Sequence, residues 1–262
     1  MDKPPFLLVH PTKPGGAPTL WKQLRELLAF EIANAGQVSI VNRLDRETSG
    51  LVLVAKTSAA ARRFGLLMQQ RRLKKQYLAI VSGWPEWETK VVDAPLDRQG
   101  KHEKSAIWLK QSIHPAGASA QTEFRVERRF TKVSGGDGSP SRPNEPMPGA
   151  PSPRRPGSGR ALPANKFTLI RAIPHTGRTH QIRVHIASIG HPIVGDKIYG
   201  ADEQLYLKFI ETGWTRELEE RLLLPRHALH SAKLTIDGEI EWESPLPPDL
   251  ARFCIGGLLV AP

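Results

Sequence analysis

The stretch "SIVNRLDRETSGLVLVAK", residues 39–56, decides how the rest of the chain is read. Within it, residues 42–49 carry four charged side chains, with Asp45 set between Arg43 and Arg46. An apolar run, residues 51–55, follows Gly50 at once, and a short run bounded by glycine reads as a strand covered on both faces. In isolation, Asp45 would serve as a turn or capping aspartate. An acid flanked this closely by cations stays ionised well below neutral pH. A carboxylate of that kind can be a nucleophile or a base and is a poor general acid.

Working outward, the pattern alternates between strands and helices without a strict repeat. "FLLVH", residues 6–10, reads as a short strand broken by "PTKPGG". Leu20, Leu24, Leu27, Leu28 and Ile32 have helical spacing over residues 19–34. Downstream of the opening stretch, Ser58 is placed to cap a helix whose stripe is Ala61, Phe64, Leu67 and Met68. "QYLAIVSG", "SAQTEFRVERRF" and "NKFTLIRAIP" read as strands. "THQIRVHIASIG" reads as a helix capped by Thr179 and closed by Gly190, with Ile182, Ile186 and Ile189 inward. Asp237-Gly238 marks a hairpin turn within residues 228–245. Between two of these strands, 14 of the 32 residues in 134–165 are Gly or Pro. That segment buries too little surface to offset chain entropy and reads as a disordered insertion at a hairpin tip. The class is α+β or mixed α/β, with a largely antiparallel sheet.

Lysine and arginine outnumber acids 37 to 26, for a net charge of +11. The excess points to a polyanionic partner, nucleic acid or an anionic membrane surface. The single Cys254, in a segment that looks like a tail, rules out an internal disulfide and a CxxC zinc site. No run of 18 apolar residues occurs, and the N-terminal apolar stretch is too short for a signal peptide. A soluble, cytoplasmic protein without contact to membrane, monomeric by default, is expected.

Other chemistries fit poorly. His175, His180 and His185 are spaced by five residues, which on a helix turns about 140° beyond a full turn, so His180 and His185 diverge and no metal is expected. "KPGG" and "PHTGRT" lack the Walker spacing, and there is no G-x-S-x-G. Acid and arginine remain: Asp45, with Arg178 and Arg183 near a helix N-terminus that favours anions.

"NRLDRETSGLVLVAK" resembles the central motif of the RluA family of RNA pseudouridine synthases, whose common form is H-R-L-D-R-x-T-S-G-L-x-x-x-A-K. "KKQYLAIVSGW", "SAQTEFRVERRF", "PHTGRTHQIRVHIASIGHPIVGDKIYG" and "RHALHSAKL" are similar to further family motifs in the family's order. The resemblance implies an α+β pseudouridine synthase fold, with a bent, mixed but largely antiparallel sheet, flanking helices and a central basic cleft, in one catalytic domain over residues 1–262, and an isomerase that needs no cofactor. Its substrate is uridine in ribosomal or transfer RNA, whose C1′–N1 bond is exchanged for C1′–C5. Asp45 matches the family's essential aspartate, which attacks the sugar, attacks C6 of the base, or removes the 2′ proton. Arg183 matches its arginine partner, and Tyr77 the aromatic that stacks on the base. Arg43 matches the arginine that enters the helix vacated by the uridine. Ile182 would pack under the base, and Arg46, Arg178, His180 and Gln181 complete the expected substrate contacts. The basic run Arg71, Arg72, Lys74 and Lys75 would meet backbone phosphates. Two departures stand out: Asn42 replaces the usual histidine, and neither a longer opening strand nor an S4 domain precedes the catalytic domain. An inactive RNA-binding or chaperone protein on the same scaffold is the main alternative, and a small-molecule nucleotide hydrolase a weaker one.

Overall fold

The computed structural model describes residues 1–11, 17–132, 165–237, 240–255 and 258–259. Strands β1 (Asp2–Lys3), β2 (Ser39–Ile40), β3 (Ser49–Leu51), β4 (Val54–Ala55), β5 (Leu73–Ser82), β6 (Thr89–Asp93) and β7 (Leu96–Arg98) fill the first part. Helices α1 (Leu20–Leu27), α2 (Ala29–Ala33) and α3 (Ser58–Gln69) run between them. Then come β8 (Gln111–Ile113), β9 (Gln121–Lys132), β10 (Asn165–Pro174), α4 (Gln181–Ser188), α5 (Gln204–Thr212) and α6 (Arg216–Leu222). The chain closes with β11 (Leu229–Ile236), β12 (Ile240–Glu243), α7 (Pro248–Ile255) and β13 (Leu258–Leu259).

The main sheet has the order β1-β3-β11-β5-β10-β9-β13, with β12 on β11 and β6 on β9. Its pairs are antiparallel except β3 with β11, so it is mixed, as expected. Register shifts between Leu169 and Ile170 and between Ser231 and Lys233 insert extra residues, and bulges of this kind bend a sheet. Phe124, Phe130, Ile170 and Ile80 of the central strands are fully buried against Leu250 and Phe253 of α7. Each such side chain stabilises the fold by roughly 1.5–3 kcal/mol. A second cluster ties α4 to the β7–β8 region through Val184, Leu96, Ile107 and Tyr199.

Several local expectations are corrected. "FLLVH" is not a strand. The edge strand is β1, the chain turns at Pro4 and Pro5, and Leu8 keeps one bridge to Thr19. The helix expected over 19–34 starts where predicted, with Thr19 Oγ1 accepting from Lys22 N, but breaks after Leu27. Only Leu20 and Leu24 are buried, while Leu27 and Phe30 face outward, so the later turns have no core to pack on. The cap of α3 is Thr57, whose hydroxyl accepts from Ala60 N, rather than Ser58. Cys254 lies buried in α7, not in a tail. The 134–165 insertion lies outside the described residues except for Asn165, the first residue of β10, which pairs with Lys132 of β9, as in a hairpin.

Residues 51–55 do not form one strand. Asn42 divides them: its amide donates to Leu51 O at 3.1 Å and accepts from Leu53 N at 2.7 Å. The chain therefore leaves the main sheet after β3 and enters the small β2–β4 pair. Gly50 permits the close approach of β3 to β11: its φ is +107°, and a Cβ there would lie 2.3 Å from Ser231 O.

Lys3 shows how the N-terminus serves this region. It is 1% exposed, and its ammonium donates to Pro4 O, Leu7 O and Arg46 O at 2.8, 3.0 and 3.2 Å. Burial, aided by Arg226, pulls its pKa down to about 8. Replacing Lys3 with Met leaves three carbonyls short of a donor and should lower stability by about 2–3 kcal/mol, read from urea unfolding. An unchanged midpoint would show that the ammonium contributes nothing net.

Candidate active site

Asp45 sits on the loop between β2 and β3, and residues 45–48 of that loop are each held by a distant residue. Arg183 Nη1 donates to Asp45 Oδ2 at 3.0 Å across 138 residues of chain. Lys3 holds the carbonyl of Arg46, and Arg226 Nη1 donates to Glu47 O at 3.2 Å. The Glu47 carboxylate accepts from Lys197 Nζ at 2.8 Å and from His227 N at 3.1 Å. Thr48 Oγ1 meets His227 Nε2 at 2.7 Å, and Ser49 Oγ meets His230 Nδ1 at 3.0 Å. The loop's shape is thus imposed by buried groups from elsewhere in the fold.

Its two neighbouring arginines do something different from the sequence expectation. Arg43 and Arg46 are exposed and turn away from Asp45; Arg46 Nε reaches Phe6 O at 3.4 Å, and Arg43 has no partner among the described residues. The cation beside Asp45 is Arg183, 5% exposed, on the second residue after the first of α4. Arg183 also grips Asp196 in a bidentate pair, Nε to Oδ2 at 2.7 Å and Nη2 to Oδ1 at 2.9 Å. Asp196 is wholly buried, and its Oδ1 accepts from Ile198 N and Tyr199 N as well. Asp196 balances the guanidinium charge in the interior. The outward-facing Asp45, 30% exposed, therefore carries the net negative charge of the trio.

Burial pushes the Asp45 carboxyl up, while His180, Arg183 and His227 pull it down; the outcome is a carboxyl held below the usual range. Burial and Arg183 hold His180 itself down at about 4, so near neutral pH it is uncharged and Arg183 is the lasting cation beside Asp45. Oδ2 is taken by Arg183 and faces His180 Nε2 at 3.9 Å. Oδ1 has no hydrogen-bond partner among the described residues and is the open oxygen of the carboxylate. Tyr77 of β5 is 7% exposed in the core cluster that also holds Leu44 and Ile182. Burial and the Asp45 charge raise its phenol well above the ordinary value, so it enters any step as a neutral phenol.

The "PHTGRTHQIR" segment brings the remaining expected residues near α4 with unequal roles. The start of α4 is fixed by Gln181, not by Thr179: its Oε1 accepts from Arg178 N at 2.9 Å and Thr176 Oγ1 at 2.6 Å. Its Nε2 donates to Gln121 O and Thr122 Oγ1, both at 2.9 Å. With every polar position of that amide spent on protein, Gln181 shapes the loop instead of offering an edge to substrate. Arg178 is exposed, with Nε anchored on Ser119 O at 3.0 Å. His180 takes the left-handed conformation, φ 56°, which brings its ring beside Asp45. His180 and His185 diverge as expected, with His185 buried between Thr122 and Ala94 O, and His175 is exposed near Glu123. The basic run also separates, with Lys74 exposed, Lys75 half-buried and Arg72 paired with Asp237.

The buried histidines give the site a pH signature. His180 titrates near 4 when folded and near 6.5 when free, so the unfolded chain alone binds the extra proton in that window. Stability is then complete above about 6.5 and is lost as pH falls toward 4, by about 3 kcal/mol from this group. His227, held well below its ordinary value by burial and Arg183, acts in the same direction. Urea midpoints at pH 7.5 and 5 should differ accordingly; equal midpoints would contradict buried neutral imidazoles.

Sequence reading missed Asp196, Tyr199, Glu47, His227 and Arg226. One signal was available for Asp196. Gly195 precedes it, with φ +77° and a Cβ position 2.1 Å from Arg226 O, so only glycine lets this turn pass under the site.

The family model for RNA pseudouridylate synthase matches residues 1–188. Ribosomal large subunit pseudouridine synthase D of Nitrosomonas europaea is 34% identical over 97% of this chain and 60% of its own length. The protein of that name from Pseudomonas aeruginosa is 33% identical over 95% of this chain and 65% of its own. The chain thus spans less than two thirds of these relatives. Among solved structures, human RNA Pseudouridylate Synthase Domain Containing 4 superposes with a TM-score of 0.62 at 22% identity, covering 95% of this chain and 85% of that one. Human RNA Pseudouridylate Synthase Domain Containing 1 gives 0.57 at 24%, covering 88% and 76%. These two likenesses establish the fold. With the motif around Asp45, the family match and that fold in agreement, the chain belongs to the RNA pseudouridylate synthase family, in its RluA branch.

Proposed function

We propose that this chain is an RNA pseudouridine synthase acting on uridine in large-subunit ribosomal RNA, with residues 1–262 forming one catalytic domain. The observation that carries the reading is a carboxylate with one oxygen pinned by Arg183 and the other open, beside a neutral Tyr77. The choice of RNA rests on the names of the relatives, and the net charge of +11 suits a polyanion. No described helix is long and apolar enough to cross a membrane.

In this reading Asp45 is the nucleophile or base and Arg183 keeps it charged. Tyr77 lies against the base or relays a proton. Exposed Arg43 fills the space left by the extruded uridine, and Arg46 and Arg178 meet phosphates; His180 borders the pocket and Ile182 supports its floor. Extrusion costs a few kcal/mol, least in loops or single strands. The rearrangement breaks C1′–N1 and forms C1′–C5, while C5 gives up one proton and N1 gains one. No atom or electron leaves the nucleotide for a carrier.

The test is incubation with unmodified large-subunit ribosomal RNA, followed by carbodiimide treatment and reverse transcription. Stops at one or a few uridines are expected. Absence of stops in ribosomal and transfer RNA alike, with RNA binding intact, would favour a binding protein on this scaffold.

A further inference from the structure

Tyr199 was not anticipated from the sequence, and its surroundings give it a direction. Gln111 N donates to the phenol oxygen at 2.8 Å, so that oxygen is an acceptor. His180 Nδ1 lies 2.8 Å from the same oxygen. Tyr199 is 9% exposed, and burial keeps its phenol protonated. Among the described residues, the O–H has one acceptor within reach, His180 Nδ1. Donation of that O–H to Nδ1 leaves the imidazole hydrogen on Nε2, the nitrogen that faces Asp45 Oδ2 at 3.9 Å.

We propose that Tyr199 is a positioning residue that fixes His180 as its Nε2–H tautomer, aiming that hydrogen at the Asp45 oxygen already held by Arg183 and leaving Oδ1 for the substrate. This rests on Asp45 being the reacting group. The phenol is itself well placed: Tyr199 N donates to Asp196 Oδ1 at 3.1 Å, and the Arg183 guanidinium lies 5.0 Å from the ring centroid. The His180 and Tyr199 rings meet edge to face at 5.5 Å. The left-handed backbone at His180 is a conformation few non-glycine residues adopt, and such outliers gather at functional sites. Four charged or titratable side chains surround the imidazole besides Tyr199: Asp45, Asp196, Arg183 and His227.

A purely structural Tyr199 would serve only its apolar cluster with Leu96, Ile107, Val184 and Ile198. Tyr199→Phe keeps that packing but deletes the whole hydroxyl, including the acceptor for Gln111 N, so the His180 spectra and a His180 background are needed to separate the two roles. In the full chain, ¹⁵N imidazole spectra of the wild type should show His180 as Nε2–H at pH 7. In the variant the tautomers should mix, while the burial and the Arg183 charge that hold the imidazole low remain. The kcat for pseudouridine formation should fall about tenfold with KM for RNA little changed. In a His180→Gln background, whose amide can supply the same hydrogen, Tyr199→Phe should have no further effect on kcat. Unchanged His180 signals in Tyr199→Phe would overturn the tautomer assignment. A changed tautomer with full kcat, or an undiminished effect in the His180→Gln background, would overturn the role in the reaction. A wild type with no synthase activity would remove the functional reading, while the spectra would still decide the tautomer.

Discussion

Asp45→Asn should bind RNA as the wild type does and convert none that can be measured. The substitution is isosteric, and the amide oxygen can still accept from Arg183 Nη1. Arg183 keeps its bidentate partner Asp196, so no buried charge is left bare and stability should change by no more than about 1 kcal/mol. What disappears is the charge on Oδ1, the oxygen open to substrate. Loss of a positioned base costs on the order of 10²–10⁴ in rate, and loss of a nucleophile more, so turnover should fall at least about 10²-fold. Because C5 gives up its proton in the rearrangement, tritium release from RNA labelled at uridine C5 measures it directly. Removing one negative charge from the cleft should leave RNA affinity equal or slightly higher. Turnover within tenfold of wild type would remove Asp45 from the chemistry.

Several strands, and the motifs that carry Asp45 and Arg183, could be read from the sequence, but not how those charges are held. Strand β10 runs over the residues its β-branched pattern marks, and it pairs with β9 across the segment read as an insertion. Periodicity works there because each residue reports its own face. It fails at residues 51–55, where an apolar run looks continuous but Asn42 bends the chain between two sheets. It fails again over 19–34, where helical spacing persists although only the first turns find a core. Arg183 could be named from the motif it occupies. Its true balance, Asp196, lies thirteen residues on, in a turn whose only mark is Gly195. The flanking Arg43 and Arg46 looked like the source of Asp45's charge state because they are adjacent in sequence. In the fold they point outward, and the work falls to a guanidinium from the second half of the chain. Local reading cannot find such pairs, since Coulombic partners are set by distance in space.

Asp196→Asn should have the opposite signature, losing the fold first and activity with it. Asp196 Oδ1 accepts from Ile198 N and Tyr199 N, so an asparagine would keep its oxygen there and turn its NH₂ toward Arg183. That sets donor against donor where Nε now meets Oδ2 at 2.7 Å. A guanidinium 5% exposed would retain Asp45 as its remaining carboxylate among the described residues. Breaking one side of a buried ion pair costs about 3–5 kcal/mol, a large share of the 5–15 kcal/mol typical of a domain. Urea unfolding at pH 7.5 should show that loss, against almost none for Asp45→Asn. The two aspartates share one guanidinium, so their effects should not add. Asp45→Asn in the Asp196→Asn background strips Arg183 of its last carboxylate and should cost far more stability than it does alone. An Asp196→Asn chain within about 1 kcal/mol of wild type would mean that Asp45 alone can neutralise the buried guanidinium. The split between an interior aspartate that holds the arginine and an outer one that reacts would then be wrong.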